Sequence, residues 1–357
     1  MTELYLLGLI AVVQVVFIVL LTAFVIARRE RLTRRATRVE AHRARLSAPL
    51  AKYLSGGASA RSFVDGLRGL PNDAALSYAS MIVDTRIPVG QRPEIGAAMR
   101  GEKWVRWAID GGTSWRWWRR LDAARALSVA GSLSDAGFLA PLLEDEHPAV
   151  RLAAMQALAA VDDPGLVSVA VQRYPTEALA VRLFITSTLR TVWRYAEPTL
   201  RYVLSNPDST PHDLAAWLGL AESLRMPTLR PAITALATHE NPEVRAAAVR
   251  ALRRFPHEES VKVARELMND PLPFVRSNAA QALGALQLGD SIDVLVRGLS
   301  DSAWWVRFRC ALALALGGEV GREALRDARN SPDRFAREMA EMTSGLSEGA
   351  LLELADA

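Results

Sequence analysis

The sequence predicts an all-α chain: about eight repeats of 31 residues stacked as an α-solenoid, preceded by one N-terminal transmembrane helix. Three observations predict this. A short Val-Arg grammar recurs at a nearly constant interval, residues 4–27 carry no charge, and the composition offers no rival framework. The single cysteine, Cys310, excludes a disulfide scaffold and a cysteine-based zinc site.

The repeat is clearest in His147-Pro148-Ala149-Val150-Arg151, where Ala154 follows at +3 and Ala157-Leu158 at +6 and +7. The same order returns around Arg245 (Ala248, Ala251, Leu252), Arg276 (Ala279, Ala282, Leu283) and Arg307 (Cys310, Ala313, Leu314). Weaker copies are anchored at Arg120 and Arg182, a degenerate one at Asp213 and a last one at Arg337. Chance does not hold that phase over seven intervals of 30 to 32 residues. Pro at the head of several anchor stretches fits a helix start, where its fixed φ and missing donor cost nothing. Turn material such as Asp162-Asp163-Pro164-Gly165 separates the units. One helix pair cannot bury its own apolar face, so stacked neighbours must supply the core. Cys310 occupies the small-residue slot and reads as a buried apolar side chain.

The 24 residues from Leu4 to Ala27 would span roughly 36 Å as a helix, enough for a hydrocarbon core of about 30 Å. A cleaved signal peptide is the rival, but no Lys or Arg precedes the run and the run is long for that role. Eight Arg follow it within residues 28–45, which places the N-terminus outside and residues 28–357 in the cytoplasm. Residues 28–46 read as a continuing Arg-rich helix. Arg28, Arg29, Arg31, Arg34 and Arg35 mark topology and are candidates for contact with anionic lipid headgroups. Beyond residue 50 the chain holds 35 basic and 36 acidic side chains, so its bulk lacks the footprint of a nucleic-acid binder. Residues 47–104 fit the repeat poorly and read as an atypical helical cap. The array follows over 105–345, and 346–357 read as a C-terminal tail.

The grammar resembles HEAT repeats over roughly residues 105–345, strongly in four units. Asp145, Asp270 and Asp301 stand six residues before Arg151, Arg276 and Arg307, as in the consensus of that family. The resemblance implies an Asp–Arg ladder between adjacent repeats, so these charges, with Arg245, are expected to be structural. His239 replaces Asp before Arg245, which puts the ladder in doubt there. The span, the Arg-Trp-Trp-Arg-Arg opening and the later Trp-Trp-Val-Arg also look like bacterial membrane-anchored HEAT proteins. Some of those are encoded beside polysaccharide-type glycosyltransferases. That resemblance implies the bacterial inner membrane as location and a membrane glycosyltransferase as the first protein partner to test.

Chemistry is hard to find in the sequence. The five His are scattered without i, i+4 pairs, and His147, His212 and His239 lie just before repeat helices as turn residues. Gly317-Gly318-Glu319-Val320-Gly321 lacks the strand that a dinucleotide site needs. No catalytic residue, cofactor or metal is expected. The unusual feature is tryptophan. Trp117-Trp118 and Trp304-Trp305 sit at −3 and −2 from their anchors. Either they seal the ends of the stack, or they form an exposed patch for a partner or a membrane interface. The leading expectation is a non-enzymatic, membrane-tethered protein-interaction scaffold. One alternative is a HEAT-like lyase or isomerase with a ligand in the concave face. The other is a nucleic-acid-binding HEAT-like protein, which the charge balance disfavours.

Overall fold

The computed structural model describes residues 2–286 and 291–356. At 2–20, 23, 27, 31, 32, 35, 355 and 356 only the backbone is described. The described residues are helical, with turns and short 3-10 pieces and no strand. They divide into two compact units, one ending at Val161 and the other beginning at Asp162. The division falls inside the expected 105–345 array, at the Asp162–Gly165 turn, where Asp162 takes a left-handed φ of 57°.

The first unit opens with α1 (Thr2–Leu54), a single helix of 53 residues. It runs past the boundary expected at residue 46 and carries Pro49 inside. The reason is burial: Leu46, Leu50 and Tyr53 enter a core with Phe63, Leu67, Leu76, Ile82, Ile95 and Met99. Those residues come from α2 (Ala60–Leu67), α3 (Asn72–Thr85) and α4 (Arg92–Met99). Next come α5 (Lys103–Ile109), α6 (Trp117–Ala130), α7 (Ala136–Leu143) and α8 (Pro148–Val161). Trp104 and Val105 of α5 and Ala126 and Val129 of α6 close the same core, so the atypical cap is continuous with the first repeat helix.

Among the described residues no helix is long and apolar enough to cross a membrane. The span expected at 4–27 lies mostly outside the residues whose side chains are described. Those that are, Leu21, Thr22, Phe24, Val25 and Ile26, are exposed.

The second unit alternates two layers. The anchor helices are α10 (Leu179–Thr191), α12 (Pro211–Leu224), α14 (Pro242–Leu252), α16 (Pro273–Ala285), α18 (Trp304–Leu316) and α20 (Arg334–Ser344). Between them run α9 (Pro164–Arg173), α11 (Trp193–Ser205), α13 (Arg230–Leu236), α15 (Glu258–Leu267), α17 (Ile292–Gly298) and α19 (Gly318–Ala328). Each anchor helix packs on the next, from α10 to α20. The repeat grammar is their core code. Val244, Val275 and Val306 are buried at −1, and Ala248, Ala279 and Cys310 at +3. Gly298 is fixed by this packing, because a Cβ there would meet the Cys310 Sγ at 2.4 Å.

Two readings need correcting. Seven anchors are the fourth residue of their helix, but Asp213 is only the third of α12. The residue in register is Leu214, which is buried, while Asp213 accepts a hydrogen bond from the Thr210 hydroxyl at the helix start. The stretch expected as a tail carries a further helix, α21 (Glu348–Asp356), which packs on α18 with Leu351 buried.

Candidate functional site

The anchor arginines make a repeated clamp. Nη1 of Arg120, Arg151, Arg245, Arg276, Arg307 and Arg337 donates to the carbonyls six and five residues earlier, at 2.7–3.2 Å. This satisfies turn carbonyls that the following helix cannot reach. The other guanidinium edge reaches forward by 25 residues. Arg120 grips Asp145 (2.5 and 2.9 Å), Arg245 grips Asp270 (2.7 and 3.1 Å) and Arg276 grips Asp301 (2.8 and 2.8 Å). Each Asp also accepts the backbone N–H two residues on, from His147, Leu272 and Ala303. Burial raises these carboxyls, but the Arg hydrogen bonds, the N–H and the Arg charge outweigh it. All three are held below the ordinary carboxylate range.

Where the ladder forms, at Arg120, Arg245 and Arg276, it links the Arg to the carboxylate one repeat ahead, while the Asp six residues before an anchor offers it only a backbone carbonyl; 25 residues after Arg151 stands Thr176. This direction makes Arg120 a member, which the sequence reading left out. It also makes Arg245 a full member despite His239. At His239 the residue 25 back is the buried Leu214, which has no guanidinium to offer. A carboxylate there would lack its Arg. The His239 Nδ1 instead accepts the Asn241 N–H at 3.0 Å. His147 and His257 do the same for Ala149 and Glu259. His147 and His257 thus cap helix starts and His239 braces the Asn241 cap, whereas His212, expected in a turn, is the second residue of α12 behind the Thr210 cap.

Beyond Arg307 the ladder acid is replaced by Pro332. The Arg307 guanidinium lies over the Phe335 ring, 4.4 Å from its centroid. Phe335 belongs to an aromatic stripe. Phe274, Trp305 and Phe335 all stand two residues before their anchors on α16, α18 and α20, and all are exposed. Trp304 stacks on Phe308 (4.9 Å, 14°) and meets Trp305 edge-on (4.6 Å, 84°). With Trp304 42% and Trp305 63% exposed, this pair is not a buried seal.

The first unit has its own cluster. Trp117 stacks on His147 (4.0 Å, 1°) and meets Trp118 edge-on. Arg116 lies over Trp115 and Trp118, and Arg119 over Trp107. Trp115, Trp117 and Trp118 are exposed, whereas Trp104 is buried in the cap core. The Trp run of 104–118 thus serves two purposes, core and surface. Arg28, Arg29 and Arg34 on α1 are exposed, while the side chains of Arg31 and Arg35 lie outside the described residues.

No group of three or more His, Cys, Asp or Glu able to hold a metal occurs among the described residues. The Cys310 thiol is fully buried, and burial pushes its pKa far up, so thiolate chemistry is closed to it. The exposed surface described above combines rigid aromatic area with neighbouring Arg, the composition of contact hot spots.

Comparison with known proteins supports the repeat. The family model for HEAT repeats matches residues 197–284, 229–315 and 266–344, so the second unit contains a HEAT-repeat domain. No curated protein matches the chain. Similar solved structures include a Kap121p mutant (12% identity, TM-score 0.49), whose alignment covers 89% of this chain and 43% of that one. Another is the complex of CpcE and CpcF of phycocyanin lyase from Nostoc sp. PCC7120 (18% identity, TM-score 0.33, 62% and 93% covered). A third is human deoxyhypusine hydroxylase in complex with glycerol (21% identity, TM-score 0.27, 76% and 96% covered).

Proposed function

We propose that this chain is a non-enzymatic scaffold that docks a partner protein on its HEAT repeats and is tethered to a bacterial inner membrane by residues 4–27. The observation that carries the docking reading is the exposed Trp304–Trp305 pair, set in register with Phe274 and Phe335. Large rigid aromatic side chains beside Arg are the composition of binding hot spots. The tether reading rests on the uncharged run of 24 residues, its Arg-rich flank and the exposed apolar side chains at Leu21 and Phe24–Ile26. A tether raises the effective concentration of the scaffold near membrane partners. A membrane glycosyltransferase is the first partner class to test, on sequence resemblance alone.

The test is the double variant Trp304→Ala, Trp305→Ala in the detergent-solubilised full chain. Docking side chains half in water should cost less than about 2 kcal/mol of stability, against roughly 3–5 kcal/mol for each fully buried Trp. Co-purification with the glycosyltransferase should be lost while the melting temperature moves little. A collapse in stability, or undiminished co-purification, would sink the docking reading.

A further inference from the structure

Between α18 and α20 the Asp–Arg ladder is interrupted, and a serine stands in the acid's place. Arg245, Arg276 and Arg307 follow one another at 31 residues, but Arg337 follows Arg307 at 30. A count of 25 from Arg307 therefore gives Pro332, whereas the turn position that the acids fill falls one residue earlier, on Ser331. Three features fix that register. Ser331 stands six residues before its anchor, as Asp145, Asp270 and Asp301 do. Its carbonyl accepts a hydrogen bond from Nη1 of Arg337 at 2.7 Å, as theirs accept from Arg151, Arg276 and Arg307. Its hydroxyl accepts the N–H two residues on, that of Asp333, at 3.2 Å, the bond that each Asp carboxylate makes in its own turn.

Across the seam, Arg307 has a donor to spare. The residue is only 8% exposed, and its Nη1 serves the Asp301 and Ser302 carbonyls. Among the described residues its Nε is buried without an acceptor. The same atom of Arg245 and of Arg276 holds a carboxylate. The Phe335 ring covers a face of the guanidinium and leaves that N–H unanswered. The nearby acids are committed elsewhere. Asp301 is held by Arg276, and Asp333 accepts the Ala336 N–H at 2.9 Å as the cap of α20. A desolvated guanidinium N–H without an acceptor is costly, and an anion is what relieves it. Ser331 is half-buried between the exposed Asn330 and Pro332, so its hydroxyl lies in an accessible turn.

We propose that Ser331 is a phosphorylation site whose phosphoryl group supplies the missing rung between Arg307 and Arg337. A serine/threonine protein kinase transfers the γ-phosphoryl group of ATP to the Ser331 Oγ. The Oγ–P bond forms, the bond from the γ-phosphorus to its bridging oxygen breaks with ADP as leaving group, and the hydroxyl proton departs through the kinase's base. The phosphoryl oxygens then accept about one to three charge-assisted hydrogen bonds, the first from the open edge of Arg307. The head of α20 is thereby tied to α18, as Asp301 and Arg276 tie the head of α18 to α16. Phe335 of the aromatic stripe adjoins this site, but none of the readouts below involves a docked partner, so their outcome is separate from the docking reading.

The experiment compares the solubilised full chain carrying phosphoserine at 331, installed by codon suppression, with the chain carrying serine there. Phosphoserine should raise the melting temperature by roughly 3 °C or more. In Arg307→Lys, which keeps the charge but not the fork, about half of that gain or more should disappear. Phosphorus NMR supplies a readout that does not depend on stability. The second ionisation of the phosphoryl group should fall about one unit below its ordinary value of about 6, because the flanking guanidiniums favour the dianion. Mass spectrometry of the chain recovered from its native cells should find a phosphoryl group on Ser331. An unchanged or lower melting temperature, an equal gain in Arg307→Lys, an ordinary second ionisation, or a native chain that never carries the group each overturns the proposal.

Discussion

Arg276 uses all three of its guanidinium nitrogens. Nη1 closes the turn carbonyls of Asp270 and Pro271, while Nε and Nη2 hold Asp301 in the next repeat. Hydrogen bonds to charged groups contribute about 1.5–3 kcal/mol, so Arg276→Ala should destabilise the fold by that amount at neutral pH. The loss should depend on pH in a definite direction. The Asp301 carboxyl is depressed in the folded state, so its contribution is present above the unfolded value of about 3.9 and fades as pH falls through the folded one. The Arg276→Ala deficit should therefore shrink as acid protonates Asp301, without vanishing, because the carbonyl bonds remain lost. Denaturant midpoints of both proteins at pH 7, 4 and 3 check this. A deficit that is constant or grows in acid refutes the assignment.

The ladder was half legible. The 31-residue period and the Asp and Arg types are plain in the sequence. The direction of pairing is not, since a spacing of six and a spacing of 25 are equally periodic and only the fold selects between them. The ion cluster between α12 and α14 was not legible at all. Glu222 meets Arg250, Arg253 and Arg254 because two helices stack, and no local spacing encodes that.

At the scale of elements, the anchor helices follow their predicted phase, and the exceptions have local causes. At Asp213 the Thr210 cap fixes the helix start one residue later than the grammar implied, and Leu214 fills the anchor slot. In α1 the helix expected to end at residue 46 continues through Pro49, because burial of Leu46, Leu50 and Tyr53 carries it on. The end of α12 is strained. Its C-cap, Arg225, takes a left-handed conformation with φ 53° and ψ 52°, which an L side chain resists and glycine accepts. Arg225 is exposed. Arg225→Gly should raise stability by about 0.5–1 kcal/mol, read as a higher melting temperature of the full chain. A lower melting temperature would show that the side chain contributes something beyond its backbone.

For the whole molecule, charge is distributed with a purpose that the net value of +4 conceals. The excess sits in the Arg-rich stretch after residue 27, and the rest is nearly neutral. On the tether proposed above, residues 28–357 lie on the arginine side of the bilayer. A reporter that works only in the cytoplasm should be active at the C-terminus, and one that works only outside should be silent. The opposite pattern rejects the topology.

The ladder's fixed reach of 25 residues also makes each repeat an interchangeable cassette. Arg245 and Arg276 present the same fork to Asp270 and Asp301, which cap the same kind of turn. Excising residues 246–276 would bring Arg245 to the position that Arg276 holds relative to Asp301. Unequal crossing-over between such segments leaves no orphaned ion, so the gene can lengthen or shorten its array in whole steps. His239 and Pro332 mark where that exchange stops: at the first seam Leu214 and His239 replace both the Arg and the acid, and at the second Pro332 replaces the acid ahead of Arg307.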